Sequence, residues 1–130
     1  MTINHKEDVE TTVRACFAAF RDRQRERAEA LLAEDFRFTS PYDDAINREA
    51  YFARCWPNGD TLRGFTIERL VVDGDGAYVT YLVTAADGVS FRNTEHLLVR
   101  SGQVTRVEVY FGATYRDGKF VAKAQESRDE

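Results

Sequence analysis

The sequence predicts an α+β domain in which three N-terminal helices cover one face of a curved antiparallel β-meander. Three observations carry this. Apolar residues recur at helical spacing in the first part of the chain, the pattern changes to period two from Thr61 onward, and Asp-Gly or Ser-Gly pairs then punctuate it at hairpin spacing. Helices first and a meander afterwards is the α+β order.

The first helix is predicted from about 5 to 23, where Asn4 with Glu7 has the form of a capping box and Val9, Val13, Phe17 and Phe20 recur on one face. Arginines 21, 23, 25 and 27, interleaved with Asp22, Glu26 and Glu29, end that stripe and read as a solvated face rather than an anion site. Ala28, Leu31 and Leu32 start a shorter second helix. Phe36-Arg37-Phe38-Thr39 alternates as a short strand, and Ser40-Pro41-Tyr42-Asp43-Asp44 reads as a loop. Asn47 caps a third helix to about Cys55, ended by Pro57 and Asn58-Gly59. Its rings are Tyr51, Phe52 and Trp56, of which Phe52 and Trp56 share a face.

Four strands follow: one through Phe65, Ile67 and Leu70 to Val72, then Ala77 to Ala85, Val89 to Arg100, and Val104 to Phe111. Turns at Asp73-Gly74-Asp75-Gly76, Asp87-Gly88 and Ser101-Gly102 join them. The chain therefore reads as one domain over residues 1–114, with 115–130 a C-terminal extension expected to be loose or peripheral.

Composition narrows the function classes. At 130 residues the chain has the size of one domain, and 43% hydrophobic with 31% charged residues is an ordinary globular balance. A net charge of -4 gives no attraction for nucleic acid or anionic lipid, and no segment approaches the roughly 20 apolar residues of a membrane span. With no signal-peptide pattern at Met1-Thr2-Ile3-Asn4-His5, a cytoplasmic location is expected. Cys16 and Cys55 have no CxxC spacing and read as reduced, packed thiols; with His5 and His96 they complete no metal-ligand pattern, so neither metal nor cofactor is expected. The 9 Phe, 6 Tyr and 1 Trp exceed what a small core needs, and rings are the usual lining of apolar ligand cavities.

The order of elements over about residues 5–112 resembles the cone-shaped NTF2-like superfamily, which includes SnoaL-like domains and ketosteroid isomerases. The local carriers are Leu31-Leu32-Ala33-Glu34-Asp35-Phe36, Thr39-Ser40-Pro41-Tyr42 and Gly102 to Gly112. The resemblance implies an apolar pocket between sheet and helices, open at one end. It also implies a test of chemistry, because ketosteroid isomerases combine a carboxylate base with a tyrosine hydroxyl and a protonated acid. Their base position before the proline is Ser40 here, their helix tyrosine falls on Cys16, and their protonated acid falls on Glu95. That mechanism is argued against. Limonene-epoxide-hydrolase-like members use an Asp-Arg-Asp relay, but Arg92 and Arg106 are flanked by Asn93, Thr105 and Val107.

Glu95 is the most informative residue. Alternation puts Phe91, Asn93, Glu95, Leu97 and Val99 on one face, so a carboxylate lies on the side expected to be buried. Two readings stand: an acid, base or counter-ion in a pocket, or a buried acid satisfied structurally by Tyr, Asn93 or Arg69. His96, of opposite parity, reads as a surface or interface residue. Asp43 or Asp44 replaces the missing base if displaced toward the pocket, and is otherwise a turn residue. The candidate lining is Phe17, Phe20, Tyr42, Tyr51, Phe52, Trp56, Asn93, Val109 and Phe111, with Tyr81 added if the Asp87-Gly88 register turns it inward.

Two functions from different classes follow. One is a pocket protein for a small, mostly apolar metabolite, with Glu95 available for cofactor-free proton transfer or hydration. The other is a non-catalytic binding or dimerisation module, in which rings fill the cone and the outer sheet face pairs two copies through Tyr78, Thr80, Leu82, Leu98 and Tyr110, as the resemblance implies.

Overall fold

The stripe Val9, Val13, Phe17 is buried along α1 (His5–Arg21), with Phe20 half-buried at its end, in a computed structural model that describes residues 5–121. Asn4 of the expected capping box and residues 122–130 of the extension lie outside the described residues. The helix stops two residues before the expected 23 because Arg23 turns to φ 56. Arg23 also departs from the expected solvated face. Its guanidinium lies 4.3 Å over the Trp56 ring, donates to the Trp56 carbonyl at 2.6 Å and pairs with Asp60 at 3.0 Å. It thereby pins the α1–α2 turn to the segment after α3.

α2 (Arg25–Leu31) is short, and Leu32, expected within it, instead opens β1 (Leu32–Thr39). A two-residue strand β2 (Ile46–Asn47), too short to show a period in sequence, pairs antiparallel with β1. α3 (Arg48–Arg54) starts as expected: the Asn47 side-chain oxygen accepts from the Ala50 amide at 2.9 Å. Pro57 sits at the start of a 3-10 turn, Trp56–Thr61, which leads into the sheet.

β3 (Leu62–Asp73), β4 (Gly76–Ala85), β5 (Ser90–Arg100) and β6 (Gln103–Arg116) form the antiparallel meander. The sheet as a whole is mixed, in the order β2-β1-β6-β5-β4-β3, because β1 runs parallel to β6. That contact joins distant parts of the chain, which local periodicity does not encode. Ser101 and Gly102 both have positive φ, 55 and 76, the backbone of a tight two-residue hairpin. β6 runs past the expected boundary at 114 to Arg116, then turns at Asp117-Gly118 into β7 (Lys119–Phe120), which pairs with it at the margin of the sheet.

Register shifts between Ile67 and Arg69, Phe91 and Asn93, and Leu98 and Val99 bend the long strands. Gly112 lies within the second of these, where β6 takes three steps, Phe111 to Thr114, against two of β5, Phe91 to Asn93. A Cβ there would collide with the Arg92 carbonyl oxygen, so only glycine allows the strands to approach. The concave face carries Val79, Tyr81, Val83, Asn93, Glu95, Leu97, Val107 and Val109, and the helices close over it. The convex face carries Val71, Tyr78 and Tyr110, all exposed, with Tyr78 against His96 at 4.5 Å between ring centroids.

Candidate functional site

Between helices and concave sheet lies a cavity of about 460 Å³. Most of the phenylalanines, three tyrosines and the single tryptophan line it, and the exposed residues Asn58, Asp87 and Phe111 mark its open end. Of the residues singled out in the sequence, the structure brings Phe17, Phe20, Tyr42, Tyr51, Trp56, Tyr81, Asn93, Glu95, Val109 and Phe111 together on its wall. Phe52 is not on the wall. It is buried between Tyr51 and Trp56, at 5.2 and 5.4 Å, with the Arg25 guanidinium 4.6 Å over its ring. Tyr51 and Phe52 are sequence neighbours on α3, so only one of them can face inward.

The polar centre comes from strand register. Tyr81 on β4 pairs directly with Asn93 on β5, which places Tyr81 diagonally from Glu95. Their hydrogen bonds run one way. The Gly112 amide donates to Asn93 Oδ1 at 3.1 Å, Asn93 Nδ2 donates to the Tyr81 hydroxyl at 3.3 Å, and that hydroxyl donates to Glu95 Oε2 at 2.6 Å. A backbone N–H can only donate, so it sets the Asn93 amide orientation, and the phenol proton is then directed to the carboxylate. Glu95 Oε1 has no hydrogen-bond partner among the described residues and is open to whatever occupies the cavity.

Burial pushes the Glu95 carboxyl up to about 7, and the Tyr81 hydrogen bond opposes that rise. The group thus exchanges its proton near neutral pH. Since Oε2 is occupied by the phenol, that proton belongs on Oε1. The Tyr81 hydroxyl is itself raised, by burial first and by the Glu95 charge second, and stays a donor. Burial also raises the Cys16 thiol to about 12, with Glu95 adding to the rise and Arg27 opposing it. Cys16 lines the cavity as a neutral thiol, not as a nucleophile.

The loop after β1 supplies no second base. Ser40 Oγ accepts from the Tyr42 amide at 3.1 Å and donates to Asp43 Oδ2 at 3.4 Å. Asp43 is buried off the cavity wall, paired with Arg54 at 2.8 Å and with the Cys55 thiol at 3.7 Å. Asp44 is exposed and also off the wall. Among the described residues no three histidine, cysteine or acidic groups gather as a metal site, and no helix is long and apolar enough to cross a membrane.

Sequence reasoning missed Phe65, whose ring stacks on Tyr81 at 4.9 Å, although its period-two spacing with Ile67 was the available signal. It also missed Phe36 and Phe38 as wall residues. Their strand was legible, but its place beside β6 was not.

This architecture is shared by known structures. A Kribbella flavida protein described provisionally as a ketosteroid isomerase is 25% identical, with TM-score 0.72 over 95% of this chain and 90% of that one. An NTF2-like protein of unknown function from Mesorhizobium loti is 21% identical, with TM-score 0.71 over 85% and 96%. An LEH-like epoxide hydrolase of M. tuberculosis is 18% identical, with TM-score 0.68 over 83% and 85%. No curated protein matches the sequence. The fold is the cone-shaped NTF2-like α+β fold, and the SnoaL-like domain model matches residues 13–122, so the chain belongs to the SnoaL-like domain family.

Proposed function

We propose that this SnoaL-like protein binds a small, mostly apolar metabolite in the cavity, with Glu95 as the acid/base group of a cofactor-free proton transfer or hydration. One observation carries the reading: a carboxyl in an apolar cavity, with one oxygen held by Tyr81 and the other open, whose proton exchanges near neutral pH. A group so placed gives a proton to, or takes one from, a molecule bound beside Oε1. Ser40 and Cys16, in place of a base and a phenol, separate this reaction from that of the standard ketosteroid isomerases. The provisional isomerase of Kribbella flavida and the M. tuberculosis epoxide hydrolase have related folds and lend the reading its reaction classes.

The test is a thermal-shift screen with small aromatic and terpenoid metabolites, followed by turnover assays on the binders with wild type and Glu95→Gln. A binder raises the melting temperature by mass action, and loss of turnover in Glu95→Gln supports the acid/base role. Full activity in that variant refutes it.

A second reading has its own observation, the exposed Val71, Tyr78 and Tyr110 on the convex sheet face. This face pairs two copies into a homodimer. Light scattering on wild type and Tyr78→Glu tests it: dimer against monomer supports pairing, and a wild-type monomer rejects it.

A further inference from the structure

Among the described residues the cavity wall holds no lysine, arginine or histidine, and the two charged residues on it, Glu95 and Asp87, are both acidic. Most of its polar side chains are already committed. Ser40 is used by Asp43 and the Tyr42 amide, Asn93 by Gly112 and Tyr81, Thr61 donates to the Asn58 carbonyl, and Thr114 donates to that of Val121. Glu95 Oε1, a pure acceptor when charged, and the Tyr51 hydroxyl, which has no hydrogen bond among the described residues, remain open near each other. The groups facing Glu95 are Cys16 of α1, Tyr51 of α3, Tyr81 of β4 and Val109 of β6. The arginines at this end, Arg23 and Arg27, stand off the wall, and Arg23 is committed to Trp56 and Asp60.

We propose that the molecule this cavity takes is a small aromatic or otherwise apolar compound bearing one protonated amine, seated with its ammonium on Glu95. The proposal rests on the reading of the cavity as a ligand site and names the ligand's charge.

Three physical points support it. A carboxylate in an apolar cavity is penalised by burial unless an opposite charge arrives with the ligand, and among the described residues no cation on the wall supplies one. An ammonium brings donors where the cavity has acceptors left, whereas a carboxylate ligand would meet Glu95 as a like charge in a low-dielectric space. The rings beside Tyr81 on the wall, Phe17 at 5.3 Å and Phe65 at 4.9 Å, give the apolar body of such an amine an aromatic surface to pack on. A neutral alcohol fills the same space but leaves the carboxylate's charge uncompensated.

The test compares three probes of one shape and different charge: naphthylmethylamine, naphthylmethanol and naphthoate. Their affinities for the full chain are measured by calorimetry at about pH 8, where Glu95 is charged and the amine remains protonated. The amine is expected to bind about tenfold tighter than the alcohol, and naphthoate weaker than both. In Glu95→Gln the amine-to-alcohol ratio should fall to within about twofold, the carboxylate that distinguished the probes being gone. The wild-type ratio decides by itself should the variant not fold. The proposal is overturned if the alcohol or naphthoate binds wild type as tightly as the amine, or if folded Glu95→Gln keeps the tenfold preference. If none of the three binds wild type, the reading of the cavity as a ligand site falls, and the charge assignment falls with it.

Discussion

The Tyr81 hydroxyl donates to Glu95 Oε2 at 2.6 Å across adjacent strands, and the direction of that bond is set from Gly112 through Asn93. Removing the donor should move the acid. In Tyr81→Phe the carboxylate loses the contact that favours its charged form, so the Glu95 pKa should rise above about 7, by about one unit. A pH titration of the glutamate carboxyl carbons by NMR checks this. A fall, or no change, would show that the phenol does not stabilise the anion.

Stability should depend on pH through the same residue. The carboxyl holds its proton more tightly folded, at about 7, than at its ordinary value of 4.5, so the folded chain carries more protons between those two values. Stability contributed by this group is therefore greatest below 4.5, declines as pH rises to about 7, and is level above. The full decline is roughly 3 kcal/mol. Denaturant melts across this window should show the slope in wild type, and Glu95→Gln should be flatter by that amount.

Gly112→Ala should destabilise the chain by about 2 kcal/mol or more, because the new methyl meets the Arg92 carbonyl where β6 shifts register against β5. The same substitution should weaken the hold on Asn93, whose oxygen takes the Gly112 amide. Urea melts measure the first effect. Equal stability would mean the strands part easily there.

Arg23→Ala should cost about 1–3 kcal/mol, since it removes the stack on Trp56 and leaves the Trp56 carbonyl without its side-chain donor. Arg23→Lys keeps a charge for Asp60 but not the planar stack, and should recover less than half of the loss. Thermal melts of both variants compare the two contributions.

Much of this was legible in the sequence, and for physical reasons. Alternation along Phe91 to Val99 put Asn93 and Glu95 on the inner face and His96 on the outer one, where each is found, because side-chain direction alternates along a strand that no extra residue interrupts. Asn47 announced α3 because a cap is a local device. What stayed hidden was non-local. The parallel seam between β1 and β6, the identity of Tyr81 as the tyrosine that holds Glu95, and the ion pair of Asp43 with Arg54 depend on proximities that only the folded sheet and loop create. Arg23 was misread for the same reason, since a charge among charges looks solvated until Trp56 comes to lie beneath it.

The central claim is that Glu95 exchanges a proton within the cavity near neutral pH. Its most direct test is the NMR titration of wild-type glutamate carboxyl carbons, with the Glu95 signal assigned by its loss in Glu95→Gln. A midpoint at about 7 is expected for Glu95; a midpoint at the ordinary 4.5 would show that the cavity does not hold its proton.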